Sequence, residues 1–549
     1  MKEQYKTAGL VAVIAVLVFA NTLPNRFVYD DMYFIVDNPA IKSLKNVPDF
    51  FTSLKSFSPA ANFSIYRPLA TLSYAIGYAV LKLNPFIFHL FSVLWHAAVC
   101  AMLYFTLALM LRDKSAALLA SLIFSVHPAQ TETVAWVSQQ SNLISLFFFL
   151  LSFHMWIRMS GIKEGEKRKI FYAVSAASYG IALLGKEMAV SLPLILLLYD
   201  IYAKQGIRKK LKLYAPFLMT TLLYVILRTL VLGRVSGQDQ YVGGSLYKVA
   251  LAMIKSYGFY MRVMLLPVKL CVGHIYGSPK SLLEPAVVLS LAAVAVLLAL
   301  ALFFSVKRRQ EGFFVLWFFV TLLPVSNIIP LQQVIAAERF LYFPSIGFCV
   351  LVSLAVLSFG KKAARVIILL LLIPYAGLTI KRNGEWKDEI SLWEATVRVK
   401  PDIPDAYYNL GVAYGKKGLR DREIECYERA VRLNPGFSLA QNNLGAVYVE
   451  MGRFSDAIQP LRRAIRMDPR DPRTYCNLGV AYVELGRYRE AIECYRRAVS
   501  IAPDFADLYF KMGWAYMKMG DKKSALEQCQ ILNSMDRRMA AELFRLIAK

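Results

Sequence analysis

Five short motifs set ionisable side chains beside long apolar runs: Tyr29-Asp30-Asp31, Tyr66-Arg67-Pro68-Leu69, His127-Pro128 with Glu132, Lys186-Glu187, and Glu338-Arg339 with Tyr342. Charged groups at the edge of a membrane bundle are costly to desolvate, which makes them functional candidates. Asp30, Asp31 and Glu132 are the candidate catalytic carboxylates, and Arg67, Lys186 and Arg339 are the candidate anion-binding cations. His127, Glu187, Glu338 and Tyr342 are candidates for supporting roles. A carboxylate can take the proton of a hydroxyl as general base. Arg can grip a phosphate through two parallel bonds and stabilise the charge that develops as it leaves. The set suits chemistry between an anionic lipid-linked donor and a neutral hydroxyl.

Each motif also has a plainer reading. An Asp-Asp pair after a span can be a solvated loop or a helix cap. Lys186–Glu187 and Glu338–Arg339 can be ion pairs between neighbours that seal the bundle. His127 before Pro128 reads as a helix cap ahead of a metal ligand, and His89 and His96 as buried polar contacts. His274, in a Gly-rich outer loop, carries no assignment. No metal ligand set is assigned, and a divalent cation stays open as a partner of the carboxylates. It is the convergence of the motifs on one side of the membrane that favours chemistry.

That convergence depends on the elements that carry them. Of the 549 residues 57% are hydrophobic, against about 45–50% in ordinary soluble domains. The excess lies before residue 380, so the chain reads as a membrane domain followed by a soluble one. Candidate spans are 8–23, 85–111, 115–126, 133–157, 170–184, 188–202, 211–232, 282–305, 313–329, 340–359 and 366–380, about eleven in all. A cleaved signal peptide ending at Val18-Phe19-Ala20 is the competing reading of the first. Two outer loops, 24–84 and 233–284, contain half-apolar stretches suited to helices in the interface.

The formal charge of +26 would suggest nucleic acid in a soluble protein. Here the basic residues cluster in alternate short loops: Arg112 and Lys114; Arg158 to Lys169; Lys204 to Lys212; Lys307 to Arg309; and Lys361 to Arg365. By the positive-inside rule those loops face the cytoplasm and the anionic bilayer. An odd number of spans then puts everything after residue 380, and the ionisable motifs, on the other side. Seven unclustered cysteines argue against a disulfide framework or structural zinc.

After residue 380 a 34-residue period takes over. Asn409-Leu410-Gly411, Asn443-Leu444-Gly445 and Asn477-Leu478-Gly479 recur in step, with Lys511-Met512-Gly513 following. Ala430, Ala464 and Ala498 keep register, and Pro435, Pro469 and Pro503 close each unit. This is the tetratricopeptide pattern, with small residues where paired helices meet. Residues 404–549 hold four full repeats. Gly384, Trp386, Trp393 and Pro401 extend the register backward as a half-repeat connector over 381–403. Such solenoids bind peptides or partner helices, and these carry no catalytic constellation.

With Asp37-Asn38-Pro39 after Tyr-Asp-Asp, Gly185 before Lys186-Glu187, and Ala337-Glu338-Arg339-Phe340-Leu341-Tyr342, the chain resembles the transmembrane and tetratricopeptide-repeat O-mannosyltransferase family and its bacterial relatives. The resemblance implies an all-α fold: a GT-C-type helical membrane bundle over 1–380, then the repeat solenoid. It also implies inverting transfer of a sugar, such as mannose, from a polyprenyl-phosphate donor to a protein Ser or Thr hydroxyl presented by the repeats. In that reading Asp30 is the base. Asp31 and Glu132 position the acceptor or a cation, and Arg339 with Arg67 or Lys186 holds the lipid phosphate. The expected location is a bacterial inner membrane with periplasmic repeats, or the endoplasmic reticulum lumen in a eukaryote. The competing reading is a non-catalytic scaffold whose repeats assemble envelope or secretion complexes. A transporter fits less well, because its broken, repeated halves are missing from the sequence.

Overall fold

The computed structural model describes residues 2–57, 65–111, 113–233, 245–273, 279, 281–307, 309–327 and 334–548. Arg112, His274, Arg308 and parts of both outer loops lie outside the described residues. All regular elements among them are helices. The chain divides into two compact units, Met1–Leu392 and Trp393–Lys549.

Among the described residues six helices of the first unit are long and apolar enough to cross a membrane: Lys2–Thr22, Pro85–Met110, Val137–Ser160, Lys210–Leu232, Pro285–Val306 and Lys361–Glu385. The 26 residues of Pro85–Met110 span ~39 Å at 1.5 Å per residue. Asn84 starts that helix by accepting the Phe86 amide at 3.1 Å, and Pro85 sits at its first position, where no amide is needed. Lys2–Phe19 is packed into the core through Val11, Ala15, Val18 and Phe19.

The other five expected spans also coincide with helices, but shorter or more polar ones: Lys114–Val126, Glu166–Gly185, Leu192–Tyr202, Gln310–Leu322 and Ser345–Ser358. Lys114–Val126 is buried over nearly its whole length. A helix shielded by protein need not match the hydrocarbon thickness, and irregular backbone is tolerated where protein buries it. Instead of continuing as α-helix, several spans end in short turns: Pro128–Gln130, Thr131–Ala135, Val137–Gln139, Glu187–Ser191, Leu323–Val325 and Glu338–Leu341. Glu132, Glu187, Glu338 and Arg339 sit on these turns, and His127, Lys186 and Tyr342 flank them. The half-apolar stretches of the outer loops form the helices Pro68–Leu81 and Leu246–Leu265.

The second unit is a run of paired helices from Pro404–Gly415 to Lys522–Met535, ended by Arg537–Ala548. Its glycines mark close approach, as the period implied. A Cβ on Gly411 would stand 2.6 Å from the Tyr427 ring, and Leu461 and Tyr495 crowd Gly445 and Gly479 in the same way. Helix Arg537–Ala548 buries Ala540, Leu543 and Ile547 against the preceding repeat helices. At the other end, the repeat register runs back to Trp386 in sequence, yet Trp386 lies in the first unit, fully buried and stacked on Trp136 at 5.6 Å.

Candidate active site

The two adjacent acids of the first outer loop have opposite environments. Tyr29 takes a left-handed φ of 53°, which costs a non-glycine residue of order 1–3 kcal/mol. Next comes a π-helical turn, Met32–Val36, with Asp31 as its N-cap. Asp31 is wholly buried. Its Oδ1 accepts the Ser138 amide at 2.8 Å and the Ser138 hydroxyl, and its Oδ2 accepts the Val28 amide at 3.2 Å. Burial pushes its carboxyl up to about 7, with the Ser138 hydroxyl and the two amides pulling it back. Asp30 is half-buried, and its carboxylate accepts no hydrogen bond among the described residues. Burial raises it to about 6, opposed by Arg339 and then Arg67.

Those two cations are each held by a carboxylate from far along the chain. Glu132, 1% exposed, accepts the Arg339 Nη1 at 2.5 Å and the Arg339 amide at 2.9 Å. The Arg339 guanidinium also lies over the Trp136 ring, 5.3 Å from its centroid. Arg67 Nη2 meets Glu187 Oε1 at 3.4 Å. Burial acts to raise Glu187, but Arg67, Lys186 and Arg228 outweigh it and bring its carboxyl down to about 2. Lys186 is buried, and among the described residues its ammonium donates one long bond, 3.4 Å, to Gln139 Oε1. Burial and the neighbouring Arg67 lower its ammonium well below the usual range.

The plainer reading, ion pairs between sequence neighbours, gives way to contacts with residues far along the chain. Lys186 has extended backbone, φ −160° and ψ 146°, where successive side chains point to opposite sides. Glu187 turns to Arg67 and Lys186 to Gln139. Glu338 and Arg339 lie on a 3-10 turn, where neighbours are about 120° apart. Arg339 turns to Glu132, while Glu338 accepts the Cys271 amide at 2.8 Å and faces Arg382 at 3.6 Å.

His127 accepts the Ala129 amide through Nδ1 at 3.2 Å and pairs through Nε2 with the Met264 carbonyl at 3.0 Å. It is a helix cap in a fixed tautomer. Tyr342 pairs with His96 Nδ1 at 2.8 Å in the core. Protein donors engage both oxygens of Asp31 and of Glu132. Among the described residues no group of three His, Cys, Asp or Glu side chains is placed to hold a metal ion.

Asp30, Glu132–Arg339, Arg67–Glu187 and Lys186 thus form one electrostatic cluster. A narrow cavity is bordered by Arg67 and by Ser138, the partner of Asp31, together with Phe34, Ile65, Thr71 and Tyr74. Ser138, Gln139, Trp136 and Arg228 escaped the sequence reading. The signal for the first two was present. Residues 138–142 read Ser-Gln-Gln-Ser-Asn inside an otherwise apolar stretch, and all five are buried. Arg228 gave one too, as a single cation inside an otherwise apolar stretch of the expected span 211–232.

Fold and site together define an all-helical membrane bundle with a buried acid–cation cluster, followed by a tetratricopeptide-repeat unit. Tetratricopeptide-repeat family models match residues 404–437, 426–459, 446–486, 481–520 and 507–534. Over most of the chain it is similar to proteins named protein O-mannosyl-transferase. One from Caenorhabditis elegans is 25% identical over 448 residues, 76% of this chain and 62% of that protein. TMTC4 of Mus musculus is 27% identical over 478 residues, 74% of this chain and 64% of the relative. TMTC3 of Homo sapiens is 24% identical over 454 residues, 74% and 49%. The resemblance carried by the motifs therefore holds, and the chain spans about half to two thirds of the length of these relatives. Among solved structures, the crystal structure of MamA is 26% identical and covers 28% of this chain and 89% of its own, with a TM-score of 0.27.

Proposed function

We propose that the chain is an inverting membrane glycosyltransferase of the GT-C kind. It moves mannose from a polyprenyl-phosphate donor to a protein Ser or Thr hydroxyl presented by the repeats. The observation that carries this reading is the contrast among the acids. Asp31 and Glu132 have both oxygens occupied, whereas the Asp30 carboxylate is unengaged and lies in the field of Arg339 and Arg67. A retaining mechanism needs a nucleophile and an acid–base, two working carboxylates about 5–5.5 Å apart. One available carboxylate suits a single displacement.

In that displacement the acceptor oxygen attacks C1 of the sugar and Asp30 takes the hydroxyl proton. The bond from C1 to the phosphate oxygen breaks, and its electron pair stays on the phosphate. The donor diester carries one negative charge and the product monoester up to two, so cations around the phosphate favour the transition state over the ground state. The basic loops face the cytoplasm, and the cluster and repeats face the periplasm of a bacterial inner membrane.

The test is Asp30→Asn in the purified full chain, assayed for transfer from a labelled polyprenyl-phosphate mannose to Ser/Thr peptides. Loss of the base should cut turnover by roughly 10²–10⁴ with the thermal midpoint retained. Undiminished turnover removes Asp30 from the role.

A further inference from the structure

The arginines of the second unit fall into two sets. Arg420, Arg453 and Arg487 stand at the starts of the second helices of the repeats, and each is paired with a carboxylate, Glu423, Asp456 and Glu490. The arginines toward the ends of those helices are treated differently. Arg429, Arg463 and Arg497 recur at one repeat position, and Arg398, Arg432 and Arg466 at the position three residues on. Residues three apart share one helix face. All six are exposed. Among the described residues only Arg432 has an ion pair, with Glu428 at 3.3 Å.

At the first repeat this face deepens into a cleft of about 730 Å³. Arg398, Arg422, Arg429 and Arg432 line it, together with the less exposed Val397, Tyr407 and Leu410. The Arg429 guanidinium lies over the Tyr407 ring, 5.9 Å from its centroid. Two acids enter the cleft. Glu394 accepts the Tyr414 hydroxyl at 2.6 Å, and Glu425 has no ion pair among the described residues. Even with Glu428 counted beside them, the cations remain in excess.

Three kinds of polyanion could answer that excess, and the cleft distinguishes them. A bilayer presents a flat layer of headgroups and does not fill a recess. A polyphosphate strand would be repelled by Glu394 and Glu425. An acidic peptide offers carboxylates that guanidinium groups grip through two parallel bonds. It also offers backbone amides for the glutamates and side-chain carbons for Val397, Tyr407 and Leu410. We propose that this face of the repeat helices docks an acidic segment of a partner protein, anchored in the cleft by Arg398 and Arg429. The surface goes beyond the glycosyltransferase reading and stands whether or not Asp30 is a base.

The experiment follows fluorescence anisotropy of a labelled Glu-rich peptide added to the full chain in nanodiscs of neutral lipid. Gln-rich and Lys-rich peptides of the same length, a single-stranded oligonucleotide and anionic vesicles form separate arms. The proteins are wild type, the double variant Arg398→Gln with Arg429→Gln, Arg429→Glu, and Arg453→Gln from the paired set. Wild type should bind the Glu-rich peptide best, with an affinity that falls as salt rises. The double variant should lose at least tenfold, since hydrogen bonds to charged groups are among the stronger ones. Arg429→Glu should also lose at least tenfold, and Arg453→Gln should bind undiminished. Because the substituted arginines are exposed, thermal midpoints should stay at the wild-type value; should the double variant fail to fold, Arg429→Glu decides. Equal binding of the Gln-rich peptide overturns the proposal, and so does an unchanged affinity in both cleft variants. A loss in Arg453→Gln as large as that in the double variant replaces the cleft with a diffuse charge effect. Tighter binding of the oligonucleotide or the vesicles than of the Glu-rich peptide assigns the face to a polyphosphate or a membrane instead.

Discussion

In the first unit Glu132 reaches Arg339 across 207 residues and Arg67 reaches Glu187 across 120. In the repeats, Arg453 pairs with Asp456, Arg487 with Glu490 and Arg432 with Glu428, all within one helical turn. The long-range pairs are largely shielded from solvent and the short-range ones stand in it. The difference is one of energetic role. An exposed pair gains little, because water and salt screen it. A buried pair is expensive to assemble and strongly destabilising to break, so it persists where a fixed charge is of use. Strongly perturbed acids and bases cluster with the buried pairs, as they tend to at functional sites.

The largest expected effect comes from breaking a buried pair. Glu132→Ala strands the Arg339 guanidinium and should cost about 3–5 kcal/mol, read as a lowered unfolding midpoint in detergent. Glu132→Ala with Arg339→Met should recover part of the loss. A cost no greater than that of a repeat-surface pair would dissolve the contrast between the units.

A smaller effect sharpens it through pH. Asp30 is raised from its ordinary value to about 6, so it is protonated and unable to act as a base below that value. The turnover rate should rise with pH through about 6 and fall roughly tenfold per unit below it. The sign for stability is the reverse. A carboxyl whose folded value exceeds its unfolded one favours folding most at low pH and loses that contribution as pH rises through about 6. A rate profile flat between pH 5 and 7 would count against Asp30 as the base.

The smallest effect belongs to the repeats. Arg432→Gln should change the unfolding free energy by only a few tenths of a kcal/mol, measured by denaturant titration. A cost above about 1 kcal/mol would show that a surface pair does more than its exposure allows.

The repeat unit was legible almost completely in the sequence. Its period, its close-packed glycines and its local pairs all follow from residues within one or two helical hairpins. Only the final helix, Arg537–Ala548, went unseparated, because its buried face follows the apolar end of the array and not the period. In the first unit the expected spans found their helices, but their ends did not. The reading ran a span straight through 133–157, while the structure breaks it into short turns and places Ser138 against Asp31. Trp386 counted as a repeat residue by register, although it is buried in the first unit against Trp136. Lys186–Glu187 and Glu338–Arg339 looked like pairs because adjacency is all that a sequence displays.

Composition, periodicity and charge asymmetry settled the classes of element: apolar helices first, a 34-residue helical repeat after them. Those are short-range properties, dictated by which face of a helix must leave water. Which acid stays unengaged, which cation answers which carboxylate, and that Arg228 joins them were decided only by the folded bundle. Its packing brings together groups more than a hundred residues apart and strips them of water. No local pattern encodes that distance.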